Sequence, residues 1–316
     1  MHLYKAYGLS IHSELVLPEL QSISVADELD LSIRFGNVDW PLPKSLPSWR
    51  YFHQDEDSIY CYWNVVGKFQ IRAGSEIIID LIPGVDDSMI RLPLLGPVLA
   101  LALHQRSHFT LHASAVVING KAAIFTAASG QGKSTTAATL HSRGHRLMTD
   151  DVSAIVLKES APPMLLPGFP RLKLWPDAVN PATQQNPADL EPINQAVDKL
   201  NCTTVKGFCQ EPVPIGRIYK LAAGTTDMPK IVSLSQKDAV ARLLENAFVP
   251  MLFGNEFPAM LSRSQQFWNV IQCANLAKNV SVCKLERPYS LERLPELASL
   301  IESDLSAAIA ATQSAV

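Results

Sequence analysis

The segment of this sequence best suited to chemistry is a run of small residues that ends in a lysine. Residues 125–136 read Phe-Thr-Ala-Ala-Ser-Gly-Gln-Gly-Lys-Ser-Thr-Thr, and Gly132, Lys133 and Ser134 fit the end of the pattern GxxxxGK[ST]. Ala127 stands where that pattern has its first glycine. Small residues let backbone N–H groups surround a polyphosphate, the lysine adds a cation, and the serine hydroxyl can ligate Mg²⁺. The residues predicted to surround a nucleotide are Ser129, Gly130, Gln131, Gly132, Lys133, Ser134 and Thr135.

The flanking sequence favours this interpretation. An apolar strand is predicted over residues 122–126 before the run, and a helix over residues 133–143 after it. The helix would therefore present its N-terminal N–H groups and partial positive charge to an anion in the loop. A glycine–serine loop that binds no ligand is the alternative.

Two adjacent acids follow the loop closely. Asp150 and Asp151 end the segment Arg-Leu-Met-Thr-Asp-Asp, 16 and 17 positions after Ser134. An acid at a strand end beside bound phosphates supplies the oxygen that Mg²⁺ prefers, and a second acid can accept a proton from an attacking hydroxyl. Two solvated turn aspartates are the alternative.

A histidine is placed near the same site by a predicted hairpin. Strands are predicted over residues 111–118 and 122–126, and Asn119-Gly120 between them is a strong two-residue turn signal. His112 then lies at the end of the hairpin away from the turn, where the glycine-containing run begins. We therefore expect His112 to approach the phosphate site, although spacing alone also fits a structural histidine.

Two basic residues further along the chain are candidates for binding an acceptor. Arg171 and Lys173 alternate on a predicted strand, so both would face one way and could hold a carboxylate or phosphate oxygens. A solvated basic strand edge is the alternative. Arg217 is a weaker candidate of the same kind, and Trp175 is predicted to pack rather than to recognise a peptide.

The predicted secondary structure divides the chain into two parts. Residues 1–90 are predicted to be β-rich, and residues 91–316 to form an α/β domain whose sheet is mixed because a hairpin precedes the loop. Proline-rich residues 161–176 are predicted to be a loop, and Ser235 is predicted to cap a helix. Strands are predicted in the first part at residues 31–35, 58–66, 69–72 and 77–81. Further helices are predicted at residues 88–106, interrupted by Pro93 and Pro97, and at residues 264–277 and 291–310.

The composition excludes several classes of partner. Lys plus Arg minus Asp plus Glu is 27 − 30 = −3, so no strongly basic field exists to bind nucleic acid. The longest apolar run, residues 92–103, is broken by prolines and is too short to cross a membrane. The N-terminus lacks the apolar core of a signal peptide, and five cysteines without a CxxC pair indicate no zinc or disulfide framework. We therefore expect a cytoplasmic protein without nucleic-acid or membrane partners. The oligomeric state is left open, a homo-oligomer included.

Three segments taken together resemble the HPr serine kinase/phosphorylase family. They are Leu-His-Ala-Ser-Ala-Val from residue 111, Ala-Ser-Gly-Gln-Gly-Lys-Ser-Thr from residue 128, and Arg-Gly-His-Arg-Leu-Met-Thr-Asp-Asp from residue 143. The resemblance implies an HPr kinase-like fold, with a P-loop domain that uses Mg²⁺ and ATP to phosphorylate a serine of a protein. It also implies that Asp150 acts as base, aided by His112, and that Ser134 and Asp151 hold the metal, while Lys133 holds the β- and γ-phosphates.

One departure from that family narrows the resemblance. The family's downstream Glu-x-Arg-Gly signature is missing, and Pro-Gly-Phe-Pro-Arg-Leu-Lys-Leu-Trp-Pro-Asp from residue 167 occupies the comparable stretch. This stretch and the opening Tyr-Lys-Ala-Tyr-Gly-Leu resemble a divergent branch associated with lasso-peptide biosynthesis, which phosphorylates the C-terminal serine of a precursor peptide. The expected partner is then a peptide or protein bearing a serine. A kinase for a small hydroxyl compound and a nucleotide-binding regulator without transfer activity remain the alternatives.

Overall fold

Two large β-sheets with helices between and around them make up the computed structural model of this chain. It describes residues 1–26, 28–42, 50–55, 57–224, 227–253 and 263–313. The fold is mixed α/β, with a β-rich N-terminal part, as the sequence predicts.

The N-terminal sheet is built from residues 2–81. Its strands are β1 (His2–Ala6), β2 (Leu9–Ser13), β3 (Gln21–Ser22), β4 (Leu31–Phe35), β5 (Arg50–Gln54), β6 (Ser58–Trp63), β7 (Gly67–Arg72) and β8 (Glu76–Leu81). They pair in the order β3-β1-β2-β4-β8-β7-β6-β5, and β4 runs parallel to both of its neighbours. The four strands predicted in this region are confirmed. Strands β1, β2, β3 and β5 were not predicted, because they contain few of the β-branched residues used to find the others.

The rest of the chain forms a second large sheet and a small one. Its strands are β9 (Phe109–Ile118), β10 (Lys121–Thr126), β11 (Arg146–Thr149), β12 (Val152–Lys158), β13 (Ala161–Leu165), β14 (Arg171–Leu174), β15 (Pro192–Asn194), β16 (Val197–Thr203), β17 (Val213–Ala223), β18 (Lys230–Ser233) and β19 (Ser281–Arg287). The large sheet runs β10-β9-β12-β13-β17-β19-β18, with β11 paired to β9. Strands β10, β17 and β19 are parallel, whereas β9 is antiparallel to β10, so the sheet is mixed as predicted.

The turn of the β9–β10 hairpin follows from two residues. Asn119 and Gly120 both have positive φ, 48° and 77°. A two-residue hairpin turn of type I′ requires this geometry, and Asn-Gly adopts it at little cost. The predicted hairpin is therefore confirmed, and it brings the far ends of β9 and β10 together at one edge of the sheet.

Helices fill the space around the sheets. They are α1 (Asp87–Pro93), α2 (Leu99–Gln105), α3 (Lys133–Ser142), α4 (Pro176–Thr183), α5 (Gln236–Leu244), α6 (Phe248–Phe253), α7 (Arg263–Asn279) and α8 (Leu294–Gln313). A π-helical turn, Leu94–Val98, joins α1 to α2, so the prolines in this stretch do not stop the helical path. The Ser235 hydroxyl accepts the N–H of Asp238 at 3.2 Å, which confirms the predicted cap of α5. In the part of the chain that the structure describes, every helix is too short or too polar to span a membrane.

The helical stretch from α1 to α2 packs between the two sheets. One buried cluster contains Ile11 and Phe69 of the N-terminal sheet, Leu99 of α2 and Val152 of β12. This buried cluster therefore contains residues from both sides of the predicted domain boundary at residue 90. The division into residues 1–90 and 91–316 stays a prediction.

The prediction of a loop over residues 161–176 is wrong, because strands β13 and β14 lie within it. The strand that was predicted to carry Arg171 and Lys173 is β14. Proline is tolerated in β13 because Pro162 and Pro163 fall where its pairing with β12 shifts register, so their missing N–H groups interrupt no regular ladder. Strand β14 pairs with β16, which the sequence analysis did not find.

Candidate active site

A glycine-rich loop, residues 127–132, connects β10 to α3. Gly130 and Gly132 have φ of 76° and 78°, a left-handed conformation that glycine adopts without strain. A Cβ on Gly132 would also collide with the guanidinium of Arg287. Ala127 is buried and is not among the residues with positive φ, so replacing the first glycine of the motif costs no backbone strain here.

The ammonium of Lys133 is held inside this loop. Its Nζ donates to the carbonyl oxygens of Ala127 at 3.0 Å and Ala128 at 3.3 Å. Burial lowers the pKa of Lys133 to about 8, although Asp150 and Asp151 oppose the shift. The loop therefore contains a desolvated cation, held by acceptors that a phosphate oxygen could replace.

The carboxylate of Asp150 is oriented by three donors. Its Oδ1 accepts the hydroxyls of Ser114 at 2.5 Å and Ser134 at 2.8 Å, and its Oδ2 accepts the backbone N–H of Lys173 at 3.0 Å. Asp150 is only 4% exposed, so these bonds replace the water that a buried charge would lose. The contact with Ser134 places this carboxylate at the start of α3, beside the glycine-rich loop.

Asp151 faces the side chains of Lys173 and His112 instead. Its Oδ1 lies 3.1 Å from His112 Nδ1, and its Oδ2 lies 2.8 Å from Lys173 Nζ. Burial alone would raise the pKa of Asp151, but Lys173 and His112 outweigh burial and hold that pKa well below its usual value. The residue has φ of 79°, a left-handed conformation that costs a non-glycine residue roughly 1–2 kcal/mol and is often retained at functional sites.

His112 therefore has a different partner from the one expected. The resemblance implied that His112 aids Asp150, whereas in the structure its imidazole contacts Asp151. The reason is the register of the sheet: His112 in β9 is paired directly with Val152 in β12, so the residue just before Val152 lies closest to the imidazole. Ser114, two residues further along β9, faces Asp150 in its place.

The N-terminal sheet supports the backbone that carries the two acids. The hydroxyl of Tyr7 donates to the carbonyl of Val152 at 3.1 Å, and the Tyr7 N–H donates to the carbonyl of Pro167 at 2.7 Å. The hydroxyl of Thr149 donates to the same Val152 carbonyl at 2.5 Å. The turn that contains Asp150 and Asp151 is thus fixed from both parts of the chain.

Of the two basic residues on β14, only Lys173 reaches the acids. Arg171 Nη1 lies 2.7 Å from Glu19 Oε1, which also contacts Arg91 Nε at 2.9 Å. The side chains of Arg171 and Lys173 are 8% and 10% exposed, so neither lies on a solvated strand edge. Arg171 is already paired in the protein interior and is not brought to the site as a free acceptor-binding group.

Arg217 lies elsewhere in the sheet. In β17 it pairs with Ala123 of β10, whereas the glycine-rich loop begins only after Thr126, the last residue of β10. Its Nη1 contacts both carboxylate oxygens of Asp304 in α8 at 2.6 Å, and the Tyr219 hydroxyl donates to the same carboxylate at 2.8 Å. The structure therefore does not bring Arg217 together with the other candidate residues.

A cavity of about 800 Å³ opens over the loop and the acids, a size within the usual range for small-ligand sites. Trp175, which was predicted to pack, lines this cavity and is 44% exposed, so its side chain is not buried in the interior. The Lys199 ammonium lies 5.4 Å from the centre of the Trp175 ring. Side chains of the cavity wall that the sequence analysis did not single out include Lys199, Arg287, Tyr289 and Leu291.

These missed residues differ in the signal that could have revealed them. Ser114 follows His112 by two positions on the same predicted strand, so period-2 alternation places both on one face. Arg287 and Tyr289 have no local signal. They reach the loop because β19 lies parallel to β17, a pairing between segments far apart in the sequence.

The donor set fits one kind of metal. Among the residues that the structure describes, no group of three His, Cys, Asp or Glu side chains could hold an ion without help. Ser134 and Asp150 offer one hydroxyl and one carboxylate, which suits Mg²⁺ because this ion keeps several waters and takes its other ligands from substrate phosphates.

Comparisons with known proteins add little to this geometry. No family model and no curated protein sequence matches the chain. Among solved structures, it is similar to the HPr(Ser) kinase/phosphatase from Coxiella burnetii, at 11% sequence identity over 65% of this chain and 95% of that chain. The TM-score of this match is 0.33, which is too low to support an inference about the present chain.

Proposed function

We propose that this protein is an ATP-dependent kinase that transfers the γ-phosphate of ATP to a hydroxyl group. One observation carries the proposal: a glycine-rich loop with a buried lysine and a pair of carboxylates meet at the wall of one cavity. Phosphoryl transfer depends mainly on positioning and on neutralising charge, and this arrangement offers both.

The loop side of the cavity would bind the triphosphate. Lys133 exchanges its two carbonyl acceptors for the β- and γ-phosphate oxygens, and the N–H groups at the start of α3 complete the cradle. Ser134 and Asp150 are the residues that would hold Mg²⁺. When bound, the ion neutralises negative charge on the phosphates.

The contacts favour exchanging the roles of Asp150 and Asp151 that the sequence resemblance implies. Asp150, beside Ser134, is the carboxylate on the metal side. Asp151, with His112 at 3.1 Å, is the group that receives the acceptor's proton. Because the pKa of Asp151 is held well below its ordinary value, this carboxylate is a weak base, and proton transfer would come late, after most of the bond to the leaving oxygen has broken.

The acceptor that we propose is a serine hydroxyl of a peptide or protein, in particular the C-terminal serine of a lasso-type precursor peptide. Support for this acceptor class comes from the sequence segments that resemble such kinases. With Arg171 paired to Glu19 and Lys173 paired to Asp151, Lys199 is the basic side chain on that wall of the cavity that an acceptor carboxylate could contact.

The experiment that tests the function offers several acceptors at once. The protein is incubated with Mg-ATP and a set containing peptides with internal serines, peptides ending in serine, free serine and small polyols, and products are identified by mass spectrometry. A phosphorylated peptide is the expected product. Phosphorylation of free serine or polyols at equal rates would favour the small-molecule kinase, and ATP binding without any product would favour the regulator.

The matched control compares two lysines. Lys133→Ala removes the buried ammonium of the loop, whereas Lys158→Ala removes an exposed lysine at the end of β12. Product formation should be lost in the first variant and retained in the second. Equal activity in both would contradict the proposed role of the loop.

A further inference from the structure

We propose that the base of the nucleotide stacks on Tyr289, at the side of the cavity opposite the two acids. This inference rests on the proposed function, because it assumes that the loop binds the phosphates of a nucleotide. It assigns a second binding element to the cavity, one that recognises an aromatic base rather than a phosphate.

The order of strands determines which side chains lie on each side of the glycine-rich loop. The acids follow β11, which pairs with β9, and β9 pairs with β10, which leads into the glycine-rich loop. On the other side of β10 lie β17 and then β19, whose last residue is Arg287. Arg287 and the acids therefore lie on opposite sides of the loop, because β19 and β11 are each two strands away from β10 in the sheet.

A nucleoside triphosphate placed in this cavity must follow that order. Its γ-phosphate has to reach Asp150 and Asp151, since transfer occurs there in the proposed function. The phosphate chain crosses the loop at Lys133, so the nucleoside leaves towards the β19 side. Tyr289 is the aromatic side chain of the cavity wall that lies on that side.

Tyr289 has the properties of a stacking platform. Its side chain is 77% exposed although it lines the cavity, and its hydroxyl donates to the carbonyl of Gly130 at 3.3 Å. The guanidinium of Arg287 lies 5.5 Å from the ring centre and donates to the carbonyl of Gln131 at 2.8 Å. The ring is thus tethered to the tip of the phosphate-binding loop with much of its surface free.

These contacts explain an otherwise unfavourable exposure. A large aromatic ring in water gains by covering its face, and a flat base offers that cover through stacking. Because the tyrosine is already held by its hydroxyl and by Arg287, little side-chain entropy is lost when a base arrives. Leu291, two residues on, adds an apolar side chain to the same wall.

The test separates base recognition from phosphate recognition. Dissociation constants are measured by calorimetry for Mg-ATP and for magnesium tripolyphosphate, with wild type, Tyr289→Ala, Tyr289→Phe and Trp175→Ala. Trp175 is the matched control, since it is the other exposed aromatic of the cavity but follows Lys173 on the acid side.

Tyr289→Ala should weaken Mg-ATP binding roughly 5- to 150-fold, the effect usual for removing an aromatic that stacks on a base, and leave tripolyphosphate binding unchanged. Tyr289→Phe keeps the ring and should bind ATP within about threefold of wild type, since only one long hydrogen bond is lost. Trp175→Ala should not alter the ratio of the dissociation constants for Mg-ATP and magnesium tripolyphosphate.

Three results would overturn the inference while leaving the kinase proposal standing: no loss in Tyr289→Ala, an equal loss for both ligands, or a selective loss of ATP in Trp175→Ala. A wild-type protein that binds neither ligand would overturn the proposed function and this inference with it.

Discussion

The large mixed sheet carries two clusters of charged side chains, one towards the amino ends of its parallel strands and one at their carboxyl ends. The two clusters differ in what surrounds them. Near one end, Arg217 and Asp304 pair at 2.6 Å beneath α8, and the Tyr219 hydroxyl completes the group. At the other end, Asp151 pairs with Lys173 at 2.8 Å, but this pair opens onto a cavity and a glycine-rich loop.

A charge cluster indicates a binding site only when other features accompany the ion pairs. Both ends contain well-paired ions, so pairing alone does not distinguish function from packing. Only the loop end combines its ions with left-handed residues, Gly130, Gly132 and the unusual Asp151, and with space for a ligand. Ligands of α/β proteins bind at the carboxyl ends of parallel strands, which is where β10 and β17 deliver the loop and its surroundings.

The largest effect that we expect is the loss of turnover on removing Lys133 from the glycine-rich loop. Lys133→Ala should reduce turnover by about 10²–10³-fold or more, because a preorganised cation no longer meets charge that develops on the phosphates. Its thermal stability should change little, since removing a desolvated ammonium also removes the cost of burying it. Initial rates of phosphoryl transfer and a melting curve measure both quantities. Undiminished turnover in a folded variant would show that the loop lysine takes no part in catalysis.

The next prediction distinguishes the roles of the two acids beside the glycine-rich loop. Asp150→Asn should raise the Mg²⁺ concentration needed for half-maximal activity, because the Ser134 side loses its carboxylate. Asp151→Asn should lower turnover at saturating Mg²⁺, by about 10²-fold for a lost proton acceptor. A magnesium titration of initial rates measures both effects. If the two profiles are exchanged, the order given by the sequence-based resemblance is right and the contact-based order is wrong.

At the closed end, a substitution should affect stability and not activity. Arg217→Ala leaves the Asp304 carboxylate with only the Tyr219 hydroxyl, so we expect the free energy of unfolding to fall by about 1–3 kcal/mol. Urea denaturation measures the loss, and turnover per folded molecule should stay within twofold of wild type. A selective loss of acceptor binding in this variant would restore Arg217 as a substrate residue.

The smallest expected effect is a dependence of ATP affinity on pH. Burial lowers the pKa of Lys133 to about 8, so above pH 8 the free protein holds this lysine mostly neutral. Bound phosphates favour the charged form, so binding at pH 8.5–9.5 must take up a proton and should weaken as the pH rises. Calorimetry in buffers of different ionisation enthalpy measures this uptake, which should vanish in Lys133→Ala. Proton release on binding would have the wrong sign.

The sequence predicts the parts of the site that depend on local signals. Asn119-Gly120 gives the hairpin, and the small residues before Lys133 give the loop and the start of α3, because each conformation is set by a few neighbouring residues. Ser235 marks the start of α5 for the same reason.

Features that depend on distant pairing were not predictable in this way. Arg171 looks free in the sequence, but Glu19 from the N-terminal part neutralises it. His112 is given to Asp151 by the register between β9 and β12, which no local pattern encodes. Tyr289 reaches the loop only because β19 joins β17.

Phosphoryl transfer by this protein can be tested by following the γ-phosphate of ATP to its acceptor. Wild type, Lys133→Ala and Arg217→Ala are incubated with Mg-ATP labelled at the γ-phosphate and with a peptide ending in serine, and the peptide is analysed for labelled phosphate by mass spectrometry. We expect a labelled serine phosphomonoester with wild type and Arg217→Ala, and none with Lys133→Ala. Wild-type protein that binds Mg-ATP but labels no hydroxyl on any acceptor, or labelling that survives Lys133→Ala, would contradict this expectation.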